Sequence, residues 1–345
     1  MSRGGAEVTV VGAGVSGLAV AWACARRGAR VRVIERRRIG AGASGGLVGA
    51  LAPHVPERWD ALKAFQFQAL AMAGDWWAAV AAAGGADPGF ARLGRVQPLA
   101  DAAAVARAGA RAEGAAAHWG PDWRWQVRPA AEVGGLAVAS PTGAVVHDTL
   151  SARLSPRRAC AALGSALRAF GAEIFEGAEP PERPAAPVVW ATGWEGLQAA
   201  GRGDGVKGQA LLLAHDAGPA PLVMAPGLFV VPHGDGTVAV GSTSEDDWTE
   251  AGTTDARLEA VHARAVALCP DLATAPVLER WAGIRPRAAG GRPLIGPWPG
   301  RPGHYLANGG FRIGFALAPA VAEGLADLLL EGRETFPAAF LPATG

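Results

Sequence analysis

Lysine is nearly missing from this chain. It occurs only at Lys63 and Lys207 in 345 residues, and 32 basic residues stand against 31 acidic ones, so the formal net charge is +1. A chain this close to neutrality sets up no global field that would gather nucleic acid or an anionic membrane, so any anion site must be local, built from single placed arginines. Cysteine is scarce as well. Cys24, Cys160 and Cys269 lie far apart and form no CxxC pair, which argues against a disulfide framework and against a metal site, and fits a reducing cytoplasm. Long apolar runs are also lacking: residues 8–25 carry no charge but are broken by three glycines, and residues 311–330 are interrupted by Glu323 and Asp327. Neither reads as a membrane span, and the charged n-region and small-residue cleavage site of a signal peptide are not evident. No internal repeat and no disordered linker stands out.

What is there begins with "VTVVGAGVSGLAVAWACARRGARVRVIERR". Residues 8–11 are apolar and β-branched, as a central parallel strand covered on both faces requires. Gly12, Gly14 and Gly17 then form GxGxxG: the first for the tight turn, the second for backbone approach to a pyrophosphate, the third for close helix packing. Glu35 closes the second strand, residues 31–34, where a carboxylate accepts hydrogen bonds from ribose hydroxyls and repels a 2′-phosphate. NAD and FAD both use such a unit. The next stretch, "GAGASGGLVGALAPH" (40–54), tilts the choice toward FAD, because a long small-residue loop allows backbone to approach a flat ring where an NAD fold would continue into strand and helix.

The early GxGxxG, the ASGG loop, "VVWATG" (188–193), "GIRPRAAGGRPLIG" (283–296) and "HYLANGGFRIGFALAPAVAEGLADLL" (304–329) together resemble the D-amino-acid oxidase group of FAD enzymes, the glycine oxidases in particular. The resemblance implies an α/β Rossmann-type FAD-binding domain, residues 1–83, 148–205 and 285–345, interrupted by a mostly antiparallel substrate domain of α+β type, residues 84–147 and 206–284. It implies non-covalent FAD held by Gly12, Gly14, Val15, Ser16, Gly17, Glu35 and Arg36, by Ala43, Ser44, Gly45, Gly46, Val48, Gly49 and Ala50, and by Pro180, Thr192 and Gly193. The segment Gly310, Phe311, Arg312, Ile313, Gly314 and Phe315 would pass the flavin ring.

The resemblance also implies a catalytic pair, Arg285 and Arg312. Arg285 matches the carboxylate-binding arginine, in a motif where Gly283 and Pro286 are expected to shape a turn. A bidentate guanidinium is the side chain best shaped to fix a carboxylate so that the α-hydrogen faces flavin N5. Arg287 and Arg292 read as solvated loop charges. Arg312 is open between a second carboxylate contact and a structural role. Phe229 falls where relatives often carry a tyrosine hydroxyl, and Ser244 where glycine oxidases carry a larger apolar side chain, so glycine itself becomes doubtful as the substrate. His54, after the ASGG loop, completes the expected substrate pocket.

The expected activity is oxidation of an amino acid or secondary amine acid: hydride to flavin N5, imine hydrolysis, and reduction of dioxygen to hydrogen peroxide. Three rivals stay open: a tRNA-modifying FAD oxidase domain, an FAD dehydrogenase with another acceptor, and a flavin-binding interaction protein whose partner surface is the Trp119–Trp123–Trp125 segment. No nucleic acid and no membrane partner is expected, and a homo-oligomer is left open.

Overall fold

Periodicity decides the local elements. A two-residue apolar period, or none at all, gives buried strands, and 3.6-residue stripes give helices that cover them. The computed structural model describes residues 6–182, 184 and 187–343. Its first half runs β1 (Glu7–Val11), α1 (Val15–Ala25), β2 (Arg30–Glu35), β3 (Ala50–Leu51), α2 (Ala61–Gly84), β4 (Arg95–Pro98), α3 (Ala102–Trp119), β5 (Trp125–Pro129), β6 (Ala144–Asp148) and β7 (Ala152–Arg153). It continues with α4 (Pro156–Ala169), β8 (Glu173–Glu176), β9 (Val188–Trp190), α5 (Gly193–Ala199), β10 (Gly203–Ala214), β11 (Leu222–Ala225), β12 (Leu228–Pro232) and β13 (Thr237–Gly241). The remaining elements are α6 (Ala256–Leu268), β14 (Val277–Ala288), β15 (Leu294–Pro297), β16 (His304–Asn308) and α7 (Gly314–Glu331).

Two sheets carry the architecture, with β3 and β7 pairing separately. A six-stranded sheet has the order β15-β16-β9-β1-β2-β8, parallel except for the antiparallel edge strand β15. Strand β1, buried from Val8 to Val11, lies inside it, and α1 is buried along nearly its whole length, so α1 is the inner helix of the domain core. An eight-stranded sheet has the order β14-β10-β13-β12-β11-β4-β6-β5 and is antiparallel except between β11 and β4. Helix α6 covers that sheet through Leu258, Val261 and Ala265, which join Leu211, Val230 and Val240 in a second core. Among the described residues no helix is long and apolar enough to cross a membrane.

Three local expectations are corrected. Gly283 and Pro286 do not bend the chain around Arg285; both lie within the twelve-residue strand β14, which pairs with β10 in the register Gly208↔Gly283 and Val206↔Arg285. Arg287 is no loop charge. It sits on the same strand and pairs with Asp204 at 2.8 Å and Asp246 at 2.6 Å, while Arg292 lies in the exposed turn after it. Strand β13 stops at Gly241, and residues 242–245 turn away toward Arg285. The tryptophan segment is packing: Trp119 and Trp125 are buried edge to face at 6.0 Å, and Trp125 Nε1 donates to the Ala108 carbonyl at 3.0 Å.

Candidate active site

The turn from β1 into α1 opens a cleft of about 480 Å³ beside the ends of β1, β2, β9 and β16. Gly12 makes that turn with φ +104°, where a side chain would be strained, and a Cβ there would run into the Ala191 carbonyl. Glu35 reaches the cleft from the end of β2. Its Oε2 accepts from Ala13 N–H at 2.7 Å and its Oε1 from Arg37 N–H at 2.8 Å, which holds the carboxylate still and leaves lone pairs for further donors. Arg36 forms an ion pair with Glu195 of α5, joining the two walls. At the far wall Asn308 ties the end of β16 to the next turn, donating to Gly193 O at 3.0 Å and accepting from Gly309 N–H at 2.8 Å.

A second cleft of about 420 Å³ continues from the first, sharing Val15, Ser16, Ala43, Ser44 and Pro286 with it. Its floor comes from β14, where a strand's two-residue period places Trp281, Gly283 and Arg285 on one face. Trp281 lies across Gly283, where a Cβ would meet the indole, and also against Gly46. The Arg285 guanidinium passes over Gly208, whose missing Cβ leaves the room it occupies. Its donors go to neutral acceptors: Ser242 Oγ at 2.5 Å, and the Thr243 carbonyl at 3.2 Å from Nη1 and 3.1 Å from Nη2. Among the described residues no carboxylate lies within ion-pair distance of it. Burial, with the like charge of Arg312 adding and the Glu245 carboxylate opposing, pulls its pKa down to about 10. Arg285 therefore stays a cation at neutral pH, desolvated and without a counter-ion, which makes an arriving anion strongly favourable.

Behind Arg285, Thr243 Oγ1 donates to Glu245 Oε1 at 2.5 Å, Gln209 Nε2 to the same oxygen at 2.9 Å, and Arg257 to Glu245 Oε2 at 2.7 Å. This buried layer fixes the loop that carries the Thr243 carbonyl. It could not be read from the sequence, because its members come from β10, the 242–245 loop and the start of α6. Trp281 had a usable signal, the i, i+2, i+4 spacing with Gly283 and Arg285.

The first cleft collects Gly12, Gly14, Val15, Ser16, Glu35, Arg36, Ala43, Ser44, Pro180, Thr192 and Gly193. The second collects Gly46, Val48, Gly49, Ala50, Gly310, Phe311, Arg312, Gly314 and Phe315, together with Arg285, Phe229 and Ser244. Three of the expected cofactor residues line neither. Gly17 faces the Gly12 carbonyl inside the helix packing, Gly45 folds against the Gly40 carbonyl, and Ile313 precedes α7. His54 is corrected as a pocket residue: it is exposed, and its backbone N–H is bound to Gln66 Oε1 at 2.8 Å, so the loop turns outward before reaching it.

A model of the FAD dependent oxidoreductase (DAO) family matches residues 7–328. The chain belongs to this family. Its cofactor is FAD. Among relatives, a glycine oxidase of Pseudomonas aeruginosa is 41% identical over 141 residues, 40% of this chain. That match spans only 38% of the relative's length. A putative thiamine biosynthesis oxidoreductase of Rhizobium etli is 30% identical over 94% of this chain and 96% of its own. The crystal structure of a glycine oxidase from Geobacillus kaustophilus superposes with a TM-score of 0.85 at 24% identity, covering 97% of both chains.

The flavoprotein's own residues fit FAD. The positive φ at Gly12 and the backbone-anchored Glu35 carboxylate supply what a pyrophosphate and a ribose require. All three cysteines are buried, with their thiols pushed up to about 12 by burial, which leaves no thiolate near the clefts for a covalent link. The ASGG loop is held from behind by buried His233, whose Nε2 lies 3.1 Å from the Leu47 carbonyl. Burial lowers the His233 pKa from its ordinary 6.5, Arg153 and Arg158 push the same way, and the Leu47 hydrogen bond and Asp235 oppose. Below about pH 6.5 the unfolded chain takes up a proton that the folded ring resists, so stability falls as pH falls. Thermal melts between about pH 7 and pH 5 should show Tm declining, with His233→Gln removing roughly 1–3 °C of that decline. An identical slope in the variant would exclude His233 as a contributor.

Proposed function

We propose that this flavoprotein is an amino-acid or amine-acid oxidase of glycine-oxidase type, in which Arg285 holds the substrate carboxylate. The carrying observation is a desolvated guanidinium with only neutral acceptors, facing a cleft that runs straight into the GxGxxG turn. The residue assignments belong to the same reading: the first cleft for the adenosine and pyrophosphate, and the second for the ring and the substrate. So does the division of the chain into an FAD-binding unit around the six-stranded sheet and a substrate unit around the eight-stranded one.

Bound FAD would supply the hydride acceptor for the substrate's α-carbon, with dioxygen as the final electron acceptor we propose. The chain's part is placement. A fork of two N–H donors from Arg285 sets both the position and the plane of the carboxylate, and so the direction of the α-hydrogen. Trp281, Phe229 and Phe315 give the cleft apolar walls beside the carboxylate site. Unpaired buried cysteines fit a reducing, cytoplasmic setting.

The test is anaerobic mixing of the holoprotein with a panel of amino acids and secondary amine acids, followed by admission of air. Bleaching of the flavin by at least one of them, with hydrogen peroxide formed in air, is the expected result. A flavin that no amine bleaches, and whose spectrum simple carboxylates leave undisturbed, would reject the oxidase. Bleaching without peroxide would reassign the chain as a dehydrogenase.

A further inference from the structure

The second cleft is charged in one sense only. Among the described residues, three of its lining side chains are arginines, Arg264, Arg285 and Arg312, and none is an aspartate or glutamate. Arg285 lies at the inner end, on the substrate sheet. The other two stand at the open end on different elements: Arg312 on the link from β16 to α7, Arg264 on α6. Arg264 donates one Nη to the Pro226 carbonyl at 2.6 Å. The Arg312 guanidinium lies 5.0 Å from the Phe311 ring and, among the described residues, has no hydrogen-bond or ion-pair partner. In the neighbouring cleft Arg36 and Arg37 both meet Glu195, so two of its arginines have a carboxylate that Arg264, Arg285 and Arg312 lack.

Arg285 and Arg312 are like charges on one cavity of about 420 Å³, and Arg312 is among the groups that lower the Arg285 pKa. Arg264 adds a third cationic group to the same lining. One carboxylate on Arg285 leaves the two mouth arginines without an anion, and a ligand that brings a second negative group to the mouth supplies it. The shape agrees. Small residues at Ser244 and Gly227 leave space beside α6, and Phe229, having no phenol, donates nothing to the first carboxylate.

We propose that the substrate is an amine carrying two acidic groups, one carboxylate on Arg285 and the second received at the cleft mouth by Arg312 and Arg264. The assignment rests on the amine-oxidase reading above and narrows it: Arg285 serves turnover, and the mouth arginines select for the second charge.

The experiment uses the holoprotein and pairs of compounds that differ in the second carboxylate: glycine against iminodiacetate, and alanine against aspartate in both enantiomers. Anaerobic flavin bleaching gives a rate constant and an apparent Kd for each. Propionate and succinate, titrated by their perturbation of the flavin spectrum, give binding without turnover. We expect the diacid of at least one pair to be favoured by about tenfold or more, and succinate to bind about tenfold more tightly than propionate. Arg312→Met should cut both ratios by about tenfold, and Arg264→Met by a smaller factor. Both side chains are exposed, and retained FAD absorbance checks that the variants fold.

Monoacids that bleach the flavin as well as diacids, with succinate no tighter than propionate, would overturn the two-anion assignment and leave the oxidase reading intact. So would unchanged ratios in Arg312→Met accompanied by a shifted flavin reduction potential, since the guanidinium would then belong to the ring. No bleaching by any compound would remove the oxidase reading and this assignment with it.

Discussion

Arg285→Met is expected to lower kcat/KM for amino-acid oxidation by roughly 10²–10³-fold while the protein still purifies with FAD. Truncating one partner of a buried, hydrogen-bonded charge pair costs about 2–5 kcal/mol, and tenfold corresponds to about 1.4 kcal/mol. Both steady-state constants should move. KM rises because the carboxylate loses its counter-ion, and kcat falls because the α-hydrogen is no longer aimed. Stability should change little. The cation is already held at an energetic cost that shows in its lowered pKa, and its acceptors, Ser242 Oγ and the Thr243 carbonyl, border a cleft that water enters. Arg285→Lys keeps the charge but loses the planar fork, so it should restore KM better than kcat. A methionine variant with wild-type kcat/KM would show that the carboxylate is held elsewhere.

Gly12→Ala is the second large effect, and it should abolish cofactor retention. At φ +104° an alanine is strained, and its methyl would press on the Ala191 carbonyl, so the turn and the exit of β9 must move apart where the pyrophosphate is to sit. Strain and overpacking together cost about 2–6 kcal/mol. The variant is expected to purify colourless, with an FAD Kd raised at least about a hundredfold. Gly28→Ala supplies the control. That glycine also has a positive φ, +88°, but a Cβ there meets nothing within 4 Å, and it lines neither cleft. It should lose a little stability and no FAD affinity. Equal FAD affinity in both variants would show that the turn at Gly12 does not hold the cofactor.

The two variants also mark how far reading by sequence extends. The unit from β1 to Glu35 was legible because strand, turn, helix and strand are neighbours in the chain, and their signals fall within one short window. Helices α2 and α4 carry start signals of the same local kind: Asp60 caps α2 at 2.8 Å and Pro156 opens α4. Arg285 was singled out through a motif, but its setting was misjudged. Gly283 and Pro286 suggested a turn, whereas pairing with β10, about eighty residues earlier, holds the segment straight. Gly and Pro express turn chemistry when nothing else binds the backbone, and a long antiparallel partner overrides them.

Arg264, Gly208 and the buried layer of Gln209, Thr243 and Glu245 carried no local signal at all. Each matters only for what it faces, and what it faces comes from another part of the chain. His54 failed in the opposite way: it stood next to the right loop, and the loop turned away before reaching it.

By itself, then, the sequence determined the glycine turn between β1 and α1, the placement of most helices and a net charge close to zero, because these follow from contacts within a few tens of residues or from composition. Tertiary structure alone decided which arginines share one cavity, that no carboxylate lines it among the described residues, and that a missing Cβ at Gly208 makes room for Arg285. The physical reason is that electrostatic energy and van der Waals exclusion depend on distance in space, and strands far apart in the chain bring those groups together only once the eight-stranded sheet has formed.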